Sequence, residues 1–204
     1  MNIFFDLDGT LINSKVRLYN LFQDLVPNSS LTFYDYWRLK KQGINHSHIL
    51  INYFDFNKKQ LDDFQSKWMQ LIETDAYTKF DAPFNGVLKH LLELKKMGFL
   101  LYIVTSRQLE EKVILQIKNF GWANIFNKII VTQQKNKKED LILPLLISEK
   151  NNYLIGDTGL DIKVGKKLKM KTVAVLTGFL NEKVLKTYNP DYICSSVLDF
   201  KPTF

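Results

Sequence analysis

Five short apolar runs constrain this chain more than any other feature. Asn2–Phe5, Phe99–Val104, Lys128–Val131, Tyr153–Ile155 and Thr172–Leu176 do not alternate with polar residues, and helical patterns separate the last four. A strand that is apolar on both faces has to be covered on both, as in a parallel sheet with helices on either side. The intervening patterns predict helices over Pro83–Met97, with Leu88, Leu91, Leu92 and Leu94 on one side, and over Gln108–Phe120 (Leu109, Val113, Ile117). They predict two more over Glu139–Lys150, where Pro144 should kink or shorten the helix, and over Leu160–Leu168. Tyr192–Cys194 is expected as an edge strand. The expected fold class is α/β: a Rossmann-like parallel sheet core with helices on both faces.

Ser14 to Phe80 has a different character. Aromatic residues are dense and apolar residues recur at helical spacing, as in Leu61, Phe64, Trp68, Leu71 and Ile72. This stretch reads as an all-helical insertion after the first strand, with turns near Pro27–Ser30 and Gly43. The expected organisation is a core of residues 1–13 and 81–204, and a helical unit of residues 14–80. The aromatics are expected to form that unit's own packing core. His46 and His48, two residues apart, do not share a helix face.

At 204 residues the chain can bury a core, and 46% hydrophobic residues exclude a disordered chain. The single cysteine, Cys194, excludes a disulfide framework and a cysteine zinc site, and reads as a small buried side chain. Asp6 and Asp8 fall where an export signal needs an apolar run, and no run approaches the ~20 apolar residues of a membrane span. A soluble cytoplasmic protein without a membrane partner is expected. The 28 Lys and Arg against 21 Asp and Glu give a net charge of +7, which suggests an anionic partner without saying which. Ser14 to Phe80 holds nine basic and seven acidic residues, so most of the surplus lies in the core.

Ligands of open α/β sheets bind beyond the carboxyl ends of the strands. Those ends here carry Asp6, Asp8, Gly9 and Thr10; Thr105, Ser106 and Arg107; the polar loop Gln133–Lys138; and Gly156, Asp157, Thr158, Gly159 and Asp161. Carboxylates gathered in one crevice repel one another unless a cation sits among them, and hard oxygens without His or Cys point to Mg²⁺. An Asp can attack phosphorus, and a second Asp two residues on can protonate the leaving oxygen and then activate water. Gly9 would let backbone N–H groups approach a phosphate, while a hydroxyl from Thr105 and an ammonium from the lysine loop would neutralise its other oxygens. Asp157 and Asp161 would hold the metal.

Asp6-Leu7-Asp8-Gly9-Thr10-Leu11 is similar to the first motif of the haloacid dehalogenase-like superfamily. Val104-Thr105-Ser106-Arg107 resembles its second motif, and Gly156-Asp157-Thr158-Gly159-Leu160-Asp161 its fourth. Pro83-Phe84-Asn85-Gly86-Val87, leading into a Leu-rich helix, resembles the phosphoglycolate phosphatase-like branch, and the helical insertion resembles that family's first-type cap. The resemblance implies Asp6 as nucleophile and Asp8 as general acid and base. It implies metal ligation by the Asp6 and Asp157 carboxylates and the Asp8 backbone carbonyl, with Asp161 in an outer shell. Thr105 and Ser106 would bind the phosphoryl group. For the family's lysine, Lys138, followed by Glu139 and Asp140, fits best, while Lys135 and Lys137 compete.

The expected activity is that of a Mg²⁺-dependent phosphatase acting on a small phosphorylated metabolite. Asp8 argues against carbon–halogen hydrolysis, which needs no acid for an alkoxide leaving group. A phosphomutase of the same superfamily keeps Asp8 and stays open. A signalling receiver domain lacks the helical insertion. A nucleic-acid-end phosphatase would need a recognition motif or basic amphipathic helix, and none stands out, so nucleic acid is not an expected partner. The chain is expected to act as a monomer or homodimer.

Overall fold

The structure is a computed structural model that describes residues 1–146 and 152–202. Strand β1 (Asn2–Phe5) is followed by β2 (Ile12–Asn13) and by the helices α1 (Lys15–Leu25), α2 (Phe33–Lys41), α3 (His46–Phe54), α4 (Lys58–Leu71) and α5 (Asp75–Thr78). The chain then returns through β3 (Ala82–Pro83), α6 (Val87–Lys96), β4 (Leu100–Thr105), α7 (Glu110–Asn119), β5 (Lys128–Val131) and α8 (Lys138–Ile142). It ends with β6 (Asn152–Gly156), α9 (Gly159–Lys167), β7 (Lys171–Val175), α10 (Glu182–Lys186) and β8 (Tyr192–Cys194). Six strands form one parallel sheet in the order β5-β4-β1-β6-β7-β8.

Strand alternation sorts the core into two layers. Ile3 and Phe5 of β1, Leu101 and Ile103 of β4, and Tyr153 and Ile155 of β6 face α6 and α7, meeting Val87, Leu91, Val113 and Ile117. Phe4, Tyr102, Val104 and Leu154 face the other way, onto Ile142 of α8 and Val164 of α9. Phe4 stacks on Tyr102 at 4.6 Å between ring centroids. The parallel register, with Phe5 opposite both Ile103 and Ile155, brings the ends of β4, β1 and β6 to one edge.

Four local expectations need correction. Pro83 does not start a helix: residues 82–83 pair with 12–13 in a two-stranded antiparallel ribbon, and α6 begins only after Gly86, which takes the left-handed φ of 86°. Leu88 and Leu92 are exposed, because the buried stripe of α6 is Val87, Leu91 and Leu94. Leu109 is likewise exposed and only caps α7, whose buried residues are Val113 and Ile117. Cys194 is half-buried on the edge strand rather than enclosed. The helix expected over Glu139–Lys150 stops at Ile142 and passes into one 3₁₀ turn, Leu143–Leu145, around Pro144, which has no N–H to continue the ladder; residues 147–150 lie outside the described residues.

Helices α1–α4 enclose a cluster of their own, built on Phe22, Tyr36, Trp37, Leu50 and Phe64. Their boundaries are set by capping. Thr32, Asn45 and Asn57 each accept a hydrogen bond from the backbone three residues on, at 2.9–3.1 Å. The break between α3 and α4 adds to the two expected turns: Asp55 takes a left-handed φ of 55° and Asn57 caps the next helix in a reciprocal pair with Gln60. Tyr34 and Tyr53 are exposed and stand apart from this core. Among the described residues, no helix is long and apolar enough to cross a membrane.

Candidate active site

Asp6 leaves β1 with its N–H bonded to the Ile155 carbonyl at 2.8 Å, so its side chain starts between β4 and β6. Asp157 follows β6, and Asp161 lies one turn into α9. The three carboxylates are buried, and each offers an oxygen within 4.8 Å of the others. Lys138, the first residue of α8, reaches in from the end of β5. Its Nζ donates to Asp6 Oδ1 at 2.6 Å and to Asp161 Oδ1 at 2.7 Å. Lys135 and Lys137 are exposed, so α8 aims only Lys138 at the acids.

Burial pushes the Asp6 carboxyl up to about 7 against the pull of Lys138. Burial, then the neighbouring Asp6 and Asp161, holds Asp157 well above the usual carboxylate range. Burial alone would lower Lys138, but Asp161 and Asp6 overcome it and keep the ammonium firmly charged. Three carboxylates against one ammonium are two positive charges short of neutrality when all are ionised. An all-oxygen set with that deficit fits a hard divalent cation.

Two glycines make this approach of acids and backbone possible. A β-carbon on Gly9, whose φ is 84°, would lie 2.6 Å from Asp157 Oδ2. One on Gly178 would lie 1.8 Å from the same oxygen. Thr177 and Phe179 on either side of Gly178 complete the fit: the Thr177 hydroxyl donates to the Gly9 carbonyl at 2.6 Å, and Phe179 N–H donates to Asp157 Oδ2 at 2.7 Å. Asp161 has its second oxygen held by the Thr158 hydroxyl at 2.6 Å, so both of its oxygens are engaged by protein groups.

Asp8 turns to a different set of partners. Arg107 donates to it twice, through Nε to Oδ2 at 2.7 Å and Nη2 to Oδ1 at 2.8 Å, and Arg17 of α1 forms a close ion pair with Oδ1. Asp81 closes the ring, 3.1 Å from Arg17 Nε and 2.9 Å from Arg107 Nη2. Burial would raise the Asp8 carboxyl, but Arg107 and Arg17 outweigh it and hold Asp8 far below the usual range. Thr105 is buried at the end of β4 and Ser106 is exposed beside it. Both line a cavity of about 390 Å³ together with Asp6, Asp8 and Lys138. His46 and His48 do not line it.

Sequence reasoning missed the ring of Arg17, Arg107 and Asp81, and Glu73. Glu73 follows α4 and accepts from Gln108 N–H at 2.7 Å and Leu109 N–H at 2.9 Å, tying the helical segment to the start of α7. One signal was present: Arg17 falls on the buried stripe of α1, among Leu18, Leu21 and Phe22, where a charge needs a partner. Asp81 and Glu73 carry no comparable signal.

The family model for haloacid dehalogenase-like hydrolases matches residues 3–175. The chain belongs to this family. As a haloacid dehalogenase-like hydrolase it is similar to the pyrophosphatase PpaX of Bacillus pumilus, at 28% identity over 97% of this chain and 93% of that one. It is similar to the phosphoglycolate phosphatase of Psychrobacter arcticus, at 25% identity over 92% of this chain and 88% of that one. In fold it resembles a haloacid dehalogenase-like hydrolase from Streptococcus pneumoniae, with a TM-score of 0.73, 23% identity, and coverage of 96% and 93% of the two chains.

Proposed function

We propose that this haloacid dehalogenase-like hydrolase is a Mg²⁺-dependent phosphatase that transfers the phosphoryl group of a small phosphorylated metabolite to Asp6 and then to water. The observation that carries the reading is the buried triad Asp6, Asp157 and Asp161 with Lys138 bridging two of its members. The similarity to a pyrophosphatase and to a phosphoglycolate phosphatase supports it.

Asp6 Oδ attacks phosphorus in line with the leaving oxygen, forming an aspartyl phosphate as the ester P–O bond breaks. Lys138 balances charge on the nucleophile and the transferring oxygens, and the Thr105 and Ser106 hydroxyls bind the phosphoryl group. The Gly9 N–H, expected to do the same, is instead taken by the Ile12 carbonyl at 2.8 Å, and Gly9 serves the close approach of Asp157. The Asp6 and Asp157 carboxylates and the Asp8 main-chain carbonyl would hold Mg²⁺, with Asp161 in an outer shell. When bound, Mg²⁺ supplies positive charge against the phosphoryl oxygens. Asp8 supplies a proton to the leaving oxygen in the first half-reaction and takes one from water in the second. Held by Arg107 and Arg17, it is in its base form, the form the second half-reaction uses. Protonating a leaving group requires Asp8 to carry a proton, the one it takes from water in the preceding turnover, and to give up an arginine contact. The helical unit of residues 14–80 acts as the cap over this chemistry, the 1–13 and 81–204 core holding the acids, and excludes water from the first step.

The test is phosphate release from p-nitrophenyl phosphate by the purified protein. Turnover should stop on chelation and return with Mg²⁺; turnover that survives thorough metal removal contradicts the metal role of Asp157.

A further inference from the structure

The cavity over Asp6 has two kinds of wall. Its floor is ionic, but Leu18, Trp68, Met69, Ile72 and Phe179 present apolar surface to the same space. Two of these are rings already fixed in place. Trp68 stacks against Phe64 at 5.6 Å and lies 4.3 Å from His46, while Phe179 packs on Trp37 at 5.5 Å and is tethered through its N–H to Asp157. Such surfaces are pre-organised, so a group that packs on them costs little ordering of the protein.

The charged groups lining the cavity are equally informative. Its cations are Arg17, Arg107 and Lys138, and each is already paired with two carboxylates. Counted with Asp8, Asp81 and Glu73, the two arginines leave one net negative charge beside the place where a leaving group would sit. A second anionic group on the substrate would have to displace a carboxylate from its arginine. Arg17 Nε and Nη1 are both buried without a hydrogen-bond partner, although Nε lies 3.1 Å from Asp81. A hydroxyl or ring oxygen beside Arg17 adds no charge to these pairs.

Building on the phosphatase reading, we propose that the substrate is the monophosphate of a neutral, ring-bearing alcohol, whose ring packs on Trp68 and Phe179, and not a diphosphate or a carboxylate-bearing ester. Both a sugar ring and an aromatic ring present the apolar face this wall takes, and the two sources are separated by the substrates compared.

The experiment measures kcat/KM for Mg²⁺-dependent phosphate release by the full chain from glucose 6-phosphate, phenyl phosphate, pyrophosphate and phosphoglycolate. At least one ring-bearing ester should exceed both pyrophosphate and phosphoglycolate by tenfold or more, and which one does so identifies the ring. Met69→Lys, which places an unpaired cation on the wall, should narrow that ratio by raising turnover of pyrophosphate. Equal or faster turnover of pyrophosphate or phosphoglycolate by the wild-type chain overturns the proposal. Phosphate release from none of the four overturns the phosphatase reading itself. In that case calorimetric binding to the Asp6→Asn protein decides the wall: tighter binding of a ring-bearing ester than of pyrophosphate upholds it, and the reverse rejects it.

Discussion

Arg107 grips Asp8 through two near-parallel hydrogen bonds, at 2.7 and 2.8 Å, while the same guanidinium reaches Asp81 at 2.9 Å. A single buried arginine thus satisfies two carboxylates from opposite sides of the helical insertion. Removing it leaves both carboxylates with Arg17 as their remaining ion-pair partner. Arg107→Ala should destabilise the fold by about 3–5 kcal/mol, as expected for breaking a buried ion pair from one side. Arg107→Lys should recover only part, since an ammonium cannot reproduce the two-pronged contact. Urea unfolding of the two variants checks this; an Arg107→Ala protein as stable as wild type would show that Asp8 and Asp81 do not depend on the arginine.

The three candidate lysines separate cleanly. Lys138→Ala should lower kcat by roughly 10²-fold or more, the order seen when one stabilising donor is removed from a reacting oxyanion. Lys135→Ala and Lys137→Ala, both exposed in wild type, should leave turnover near its original value. Steady-state rates for the three single variants measure it, and a large loss in Lys135→Ala or Lys137→Ala contradicts the assignment.

Gly178 tests the acid cluster without touching an acid. Its φ is not in the left-handed region, so alanine is tolerated by the backbone, but the added carbon meets Asp157 Oδ2 at 1.8 Å. Gly178→Ala should therefore displace Asp157. The Mg²⁺ concentration for half-maximal activity should rise by about tenfold or more, the size of effect typical of groups that orient a metal ligand. An unchanged Mg²⁺ dependence would place the metal away from Asp157.

A pH dependence follows from the helical insertion. His46 packs among Phe22, Phe64 and Trp68, with Nε2 2.8 Å from the Tyr36 hydroxyl. Burial, and then the charge of Lys40, holds its imidazole well below the usual range. Below about pH 6.5 the unfolded chain takes up a proton at this residue and the folded chain does not, so stability present above that pH is lost as pH falls. By pH 5.5 the loss is about 1 kcal/mol. Burial lowers His90 in the same sense, so the comparison is made with His46→Phe, whose urea midpoint should fall less than that of wild type between pH 7.5 and 5.5. Parallel falls in both proteins would mean that His46 is protonated in the fold.

The sheet was legible because its signal is local and redundant. β1, β5 and β8 fall where the apolar runs put them, and β4, β6 and β7 differ by a residue at either end. The acids were legible for a related reason: in a parallel sheet every strand delivers its next residues to one edge, so Asp6 and Asp157 could be brought together without knowing any distance. Lys138 was less certain, since three lysines within four residues differ only in how α8 orients them. Asp81 and Glu73 were not legible, because each acts through a partner distant in sequence and fixed only by how the helical insertion settles on the core, while Arg17 carried only the hint of a charge on an apolar helix stripe. Pro83 misled for a local reason: it reads as a helix start until its pairing with Ile12 is known.

The central claim is that Asp6 carries the phosphoryl group. Rapid acid quench of the protein during turnover with Mg²⁺, followed by mass spectrometry of the N-terminal peptide, tests it most directly. One added phosphoryl group should appear on the wild-type peptide, and should be absent from Asp6→Asn, which should also release no phosphate. A peptide that stays unmodified throughout turnover, together with an Asp6→Asn protein that still releases phosphate, would contradict the account.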